Sequence, residues 1–558
     1  MTSFSAAART EHWKALGRGT WDLLVIGGGI TGAGVARDAA GRGLRVALVD
    51  AGDIAQGTSS RSSRLIHGGL RYLETFDFRL VFEASAERRR LLALAPHLVH
   101  PLPFLFPVFR NGPVGRRKLQ AGMWLYDLLS LFRNISRHRM LSPAAVAAAE
   151  PALRGEGVVG AALYYDASVD DARLALANAR GAHESGAAVV PHAEVTGFLR
   201  EGARVGGVRV RDRLGGGVAE VRARVILNAT GPWSDIVRRL ADPGTRPRLR
   251  TTKGVHIMVP GERLGNRGAI TFRSPVDGRV MFVLPWGDFS YVGTTDTDFR
   301  GSPADVRADE ADVRYLLESA NSIFPAARLT AEDVVSTWAG LRPLLAPLDT
   351  EGGRSESATS REHEIWQDRS GLLNIAGGKL TTYRVMAAEV ADEAARILQE
   401  RHGVASGSSL TEDLPLPAAP GEPWDDFAAR MRRESAAAGL DEAAAIHLAR
   451  FYGDEAGAVL EEIGRDPALG TRLVPSLPYL RAEIQRAVRC EMAMTLEDLL
   501  VRRLHIFYEA RDGGLSVARE VAERMAAEPG IGWSAAEVER QVEHYRRAVE
   551  ATRGFGGA

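Results

Sequence analysis

The residues with the clearest chemical spacing are Gly27, Gly29 and Gly32, followed by Asp50, in WDLLVIGGGITGAGVARDAAGRGLRVALVD, residues 21–50. The G-x-G-x-x-G spacing suits a pyrophosphate. The first glycine permits a tight turn, the second lets a phosphate approach the backbone, and the third lets helix and strand pack closely. Amide groups at the start of the following helix would hold the phosphates. Asp50, 23 residues after Gly27, ends the next apolar run and is placed to accept hydrogen bonds from a ribose. A second set, Thr58, Ser59, Ser60, Ser62 and Ser63, is broken by Arg61 and Arg64 and runs into Ile66-His67-Gly68-Gly69-Leu70-Arg71-Tyr72. A solvated loop has no need of that apolar content. A third stretch, 376–384, puts Lys379 at a helix start, where an anion would meet both the helix dipole and the ammonium.

These residues need elements to position them. Residues 23–26 and 46–49 are apolar runs on either side of a small-residue helix whose small face Gly34 extends, which predicts strand, turn, helix, strand. Residues 78–95 read as an amphipathic helix stopped near Pro96. Residues 119–132 are apolar almost all round, between Arg116, Arg117 and Lys118 on one side and Arg133, Arg137 and Arg139 on the other. That stretch fits either a buried helix with basic ends or a membrane-surface patch, with aromatics dipping into lipid and basic residues meeting its phosphates. Residues 172–187 predict a helix, and 188–190 a strand start. Alternation over 205–210 and 218–226 predicts a meander ending in VILNATGPWSD, 225–235. From about 248 to 341 the pattern is strand-rich, followed by a polar loop over 349–362. Residues 372–375 then open a second strand–glycine–helix junction. A Pro-rich stretch, 414–424, reads as a linker, and everything after it has helical periodicity.

At 558 residues the chain divides into more than one domain. Lys+Arg and Asp+Glu are both 70, so no global field favours nucleic acid, and anion recognition must come from locally placed basic residues. The single cysteine, Cys490, allows no internal disulfide and no cysteine metal cluster; no metal is expected, and a reducing compartment is. The first twenty residues lack an apolar core of the secretory kind, and no segment is apolar for long enough to span a bilayer. A cytoplasmic-side protein, soluble or peripheral, is the expectation.

GGGITGAGVARDAAGRGLRVALVD, TSSRSSRLIHGGLRYLE, DARLALANA, NATGPW, GTTDTDF and GGKLTTYR occur in this order, and RCEMAMTLEDLLVRRLHI follows at 489–506. Together they closely resemble the FAD-dependent, quinone-linked glycerol-3-phosphate dehydrogenases of the D-amino-acid-oxidase-like flavoprotein superfamily, from about residue 21 to about 545. The resemblance implies an α/β FAD-binding two-dinucleotide-like (Rossmann-type) domain, an interleaved α+β antiparallel-sheet substrate domain and an all-helical C-terminal domain. Its boundaries would be an extension over 1–20, an oxidoreductase domain over 21–408, a linker over 409–424 and the helical domain over 425–552. FAD-binding parts would cover about 21–100, 150–245 and 366–402, and substrate or cap parts about 101–149 and 246–365.

The same resemblance implies oxidation of sn-glycerol 3-phosphate to dihydroxyacetone phosphate, with FAD taking the hydride and a membrane quinone taking the electrons. It also implies peripheral association with the cytoplasmic face of the inner membrane. Oligomeric state stays open, a homodimer included. For the cofactor it implies Gly27, Gly28, Gly29, Gly32 and Asp50 at the ADP half, with Thr58, Ser59, Ser60, Ser63 and His67 nearer the flavin. Thr230, Gly231, Gly378, Leu380 and Thr381 would close the far side. The family often has Glu at the Asp50 position; either carboxylate can bind a ribose. A small dianionic substrate needs several cations at one point, and Arg71 with Tyr72, Arg342 in GLRP and Lys379 in GGKLTTYR fall at the family's substrate positions. His67 suits a general base or a flavin-packing histidine equally, Lys253 and His256 in TTKGVH are secondary candidates, and Arg342 or Lys379 could hold a developing oxyanion. Lys253 could equally be a structural cation. Three rival functions stay open: an oxidase using O2 on the same substrate, another 2-hydroxy-acid or amine flavin oxidase, and a nucleotide-binding regulatory protein without redox chemistry.

Overall fold

The computed structural model describes residues 3–69, 77–112, 114–130, 134–346 and 363–555. Arg71 and Tyr72 lie outside them.

The first helix, α1 (Ala6–Leu16), precedes the nucleotide unit, so the first twenty residues are not a bare extension. Ser5 caps it by accepting the Ala8 N–H, and Arg9, itself buried, pairs with Asp212 at 2.7 Å and donates to the Pro191 carbonyl. Its face is mostly alanine, too weakly apolar for a pattern to reveal; one buried charge pair holds it down.

Next come β1 (Thr20–Ile26), α2 (Ile30–Gly41) and β2 (Val46–Val49). Strand β3 (Ala188–Val190) pairs parallel with β2, and β4 (Val218–Asn228) pairs parallel with β1 on its other side. Strand β5 (Leu373–Ala376) extends the sheet parallel to β4. Leu23, Leu24, Val25, Val46 and Leu48 are fully buried, as continuous apolar runs must be when helices cover both faces of a parallel sheet. Helix α2 packs its small residues against the helices Asp171–Glu184 and Tyr383–His402.

Among the described residues a second sheet has ten strands. A long antiparallel pairing at one side of it joins Leu249–Pro260 to Ser336–Leu345, with Thr252 opposite Arg342, Gly254 opposite Gly340 and His256 opposite Trp338. The sheet is not wholly antiparallel, since Ala269–Arg273 runs parallel to Val99–Phe109. It also takes Leu65–Ile66 and Val158–Val169, from stretches expected among the FAD-binding parts. Alternation reveals a strand but not which sheet it joins.

Helix Arg116–Leu129 is two-sided rather than buried all round: Leu119, Met123 and Tyr126 face inward, while Trp124 and Leu128 are 51% and 54% exposed. The Pro-rich strap after His402 is packed rather than loose. Arg37 donates to the Leu414 and Pro415 carbonyls, and buried Leu416 donates its N–H to Leu94 O. Beyond it the chain is helical, from Trp424–Ala437 to Ala535–Arg553; its first helices bury a separate cluster around Phe427, Leu448 and Val459, while residues such as Ile484, Leu499, Leu504 and Val521 join the same core as the nucleotide sheet.

Candidate active site

The cradle at the end of β1 is made of backbone. Gly27 turns at φ +111°, and a Cβ there would lie 2.6 Å from Ala229 O at the end of β4. A Cβ on Gly32 would collide with the Gly27 carbonyl. Both positions therefore need glycine for the chain to pass so close to itself. Gly29 is the N-cap of α2 and supplies no capping side chain, which leaves that helix end open to a ligand. Ser59 Oγ accepts the Ile30 N–H at 2.9 Å, on the rim of that opening.

Asp50 closes the other side. Its two oxygens accept the Gly28 N–H at 2.6 Å and the Gly52 N–H at 2.8 Å, and Ala55 N–H returns to Gly28 O at 3.0 Å. Burial of its surroundings pushes the Asp50 pKa up to about 6, against the pull of those two amides. A half-buried carboxylate at the tip of β2 is placed to take hydrogen bonds from ribose hydroxyls.

The remaining expected segments converge on this unit. Thr230 donates to Asn228 Oδ1 at the end of β4, and Gly231, with φ +52°, opens the turn that carries Trp233. The Trp233 ring lies against Gly57. Thr58 donates to Leu341 O at 2.7 Å, and Ser63 Oγ meets His256 Nε2 at 2.8 Å. Ser60 is buried in the same single turn as Thr58 and Ser59. The hydroxyl segment thus ties the nucleotide sheet to the second sheet. Past β5, Gly377 and Gly378 lead to Lys379 and the turn Leu380–Thr382. There Thr381 Oγ1 accepts the His67 N–H at 3.1 Å and donates to His67 O at 3.3 Å, so the segments bearing His67 and Lys379 are stitched together.

Arg342 lies on the second sheet, on a strand that touches β5. Its guanidinium pairs with Asp296 at 2.9 Å, donates to Thr294 Oγ1 and Thr295 O at 3.2 Å each, and rests over Gly254, where a Cβ would lie 2.5 Å away. His256 shares this face of the sheet, stacked on Trp338 at 5.0 Å and 12°. Burial first, then the charges of Arg342 and Arg64, hold its pKa down at about 3, so it stays neutral and weakly basic.

Lys253 does not belong to this constellation as a substrate residue. Successive strand residues point to opposite faces, so Lys253 cannot share the face of His256 and Arg342. Its ammonium instead bridges Asp309 at 2.7 Å and Asp312 at 2.5 Å, the residues that cap the helix Glu310–Ile323. It is a structural cation.

Sequence reasoning passed over two buried groups. The Arg64 guanidinium lies 3.9 Å from the Trp286 ring centre and within 5.5 Å of Trp338 and Tyr508, with Asp171 at 3.6 Å. Asp53, His192 and Asp498 gather closely enough to suggest metal ligands, but Arg502 and Arg503 already neutralise the two carboxylates. Both groups draw on the C-terminal helices, and no local motif announces contacts made across more than 300 residues.

Parallel strands ending on such a cradle, with a mainly antiparallel sheet at its inner end, define a flavin-type dinucleotide protein. The open helix end, the glycine passage and the recessed Asp50 fit the ADP moiety of FAD. A family model described as FAD dependent oxidoreductase matches residues 22–392, and one described as the C-terminal domain of alpha-glycerophosphate oxidase matches residues 409–538. The chain is 43% identical over 548 residues to glycerol-3-phosphate dehydrogenase 2 of Mycobacterium tuberculosis, covering 98% of this chain and 91% of that one. It is 35% identical over 547 residues to the aerobic glycerol-3-phosphate dehydrogenase of Staphylococcus aureus, covering 97% of each. The solved structure of glycerol-3-phosphate dehydrogenase from Bacillus halodurans complexed with FAD matches at a TM-score of 0.80, with 32% identity and 99% of each chain covered. The chain belongs to the FAD dependent oxidoreductase family.

Proposed function

We propose that the chain oxidises sn-glycerol 3-phosphate to dihydroxyacetone phosphate and passes the electrons to a membrane quinone. The observation that carries this reading is the placement of Arg342. It is a guanidinium held by Asp296 on the one sheet face that Thr58 and Ser63 join to the cofactor cradle. A phosphate dianion suits that position, with Lys379 as a second, point-like charge. FAD, when bound, supplies the hydride acceptor. The C2 hydroxyl must lose its proton as hydride leaves C2. His67 is the base we assign, because His256 is too weakly basic and Lys253 faces away. Arg342 or Lys379 then offsets negative charge developing on the C2 oxygen.

Anaerobic addition of a substrate panel tests the assignment. Glycerol 3-phosphate should bleach the flavin absorbance, and glycerol or lactate should leave it unchanged; an unchanged spectrum with glycerol 3-phosphate overturns the substrate. The same protein under air should reduce a quinone analogue and yield little peroxide.

Among the described residues no helix is long and apolar enough to cross a membrane. Phe78 and Phe82, 39% and 48% exposed, lie on a helix that touches the one presenting Trp124 and Leu128. Four exposed large apolar side chains on two adjoining helices, with Arg116, Arg117 and Lys118 at one end, support docking on an anionic bilayer surface. Co-sedimentation with anionic vesicles at low salt should pull the protein down, and Trp124→Ser should release it; a wild-type protein that stays in the supernatant removes this part of the reading.

A further inference from the structure

Asp53 is fully buried in the loop that follows Asp50. An unpaired carboxylate in that position would be strongly destabilising. Its partners come from 450 residues away. Arg503 donates Nη1 to Oδ2 at 2.7 Å and Nη2 to Oδ1 at 2.9 Å, and Arg502 Nε adds a third bond to Oδ2 at 2.6 Å. Both arginines sit in a wide π-helical turn, Asp498–Arg503, of the C-terminal helices. A turn of that kind is rare and tends to be retained for a purpose.

The same turn grips the other flank of the loop. Asp498 pairs with His192 at 2.9 Å and with Arg502 at 2.8 Å, and the His192 backbone N–H donates to Gly52 O at 2.7 Å. Gly52 in turn donates its N–H to Asp50, and Ala55 ties the loop to Gly28. The π turn thus reaches the loop that carries Asp50 from two sides, directly through Asp53 and through His192 in the turn after β3, by buried ion pairs and hydrogen bonds. Arg503 is further anchored by donating Nε and Nη2 to Glu491 O at 3.1 and 2.9 Å.

We propose that Arg502 and Arg503 are positioning residues for the cofactor: through Asp53 they hold the loop 50–57 closed on the ADP-ribose of FAD, so that the helical domain sets FAD affinity. Removal or loosening of that domain frees the loop and, with it, Asp50. This inference rests on FAD as the cofactor, and its failure is separable from a failure of that reading, because a wild-type protein that binds no FAD sinks the cofactor assignment itself.

The test is titration of the deflavinated full-length protein with FAD, followed by flavin fluorescence. Arg503→Gln should weaken FAD binding by about tenfold or more, by analogy with outer-shell partners that orient a ligating group. Turnover lost at low FAD should return with excess FAD. Arg180→Gln is the control: Arg180 joins the same two domains through Glu455 at 2.6 Å but lies off this path, so it should lower thermal stability and leave FAD affinity within about twofold. Arg503→Lys keeps the charge but loses the paired geometry and should fall between wild type and Arg503→Gln. If Arg503→Gln does not fold, Arg503→Lys and Arg502→Lys carry the comparison against Arg180→Gln. Hydrogen exchange of residues 50–57 should speed up in the Arg503 variants and slow on adding FAD. Equal FAD affinity in Arg503 variants and wild type, or an equal fall in Arg180→Gln, overturns the proposal and leaves the pair as domain glue.

Discussion

The two ends of the cofactor site are built by different means. At the ADP end the shape is backbone: a glycine passage under Ala229, an open helix terminus and one carboxylate held by two amides. At the end where we propose the reaction, the shape is side chain: Arg342 held by Asp296 and laid over Gly254, His256 stacked on Trp338, and His67 fixed by a threonine 314 residues away. The first kind of site is specified by a few contiguous residues and tolerates almost no added atom. The second is assembled by sheet register and tolerates change in geometry but not in charge.

That contrast orders the expected effects. Gly32→Val should be the most damaging change, because the collision with the Gly27 carbonyl admits no local relief; the purified protein should carry no flavin absorbance. His67→Asn should keep its flavin and lose roughly 10²- to 10³-fold in kcat, with little change in KM, the range expected for a lost general base. A kcat within about twofold of wild type would return His67 to a packing role.

A pH effect belongs to the ADP end. With its pKa raised to about 6, Asp50 in the cofactor-free protein binds a proton between about pH 4 and pH 6 that the unfolded chain does not, so its contribution to apoprotein stability falls as pH rises through that window. Ribose hydroxyls favour the ionised carboxylate, so FAD affinity should rise with pH up to about 6, by at most about tenfold per pH unit, and then level off. Asp53 raises and His192 lowers this pKa from nearby, and both are held by the π turn. Asp50→Asn should flatten the profile. The smallest effect on catalysis should come from Lys253→Met. It breaks the pairs with Asp309 and Asp312, lowers Tm by several degrees, and leaves KM for glycerol 3-phosphate within about twofold.

Much of the backbone-built end was legible in the residues themselves. Gly27 to Asp50 is a contiguous pattern, and the NATGPW and GGKLTTYR stretches lie where the strand ends of β4 and β5 meet it. The side-chain end was legible in types but not in facing. Lys253 and His256 are three apart on a strand, and period-two alternation alone forbids them a common face. Other features lie beyond any local pattern. Helix α1 is pinned by Arg9 on Asp212, the strap near Leu416 by Arg37, and the loop at Asp53 by Arg502 and Arg503. Each is a buried charge finding its partner at long range, and sequence spacing carries no record of that.

The most direct test of the division between the two ends is anaerobic titration of Arg342→Gln with glycerol 3-phosphate, read on the flavin spectrum. The account predicts a full complement of FAD with wild-type affinity and an apparent Kd for glycerol 3-phosphate weakened by about 100-fold or more, as befits the loss of a charged phosphate contact. A variant that loses its flavin, or one that is reduced by glycerol 3-phosphate at wild-type concentrations, contradicts it.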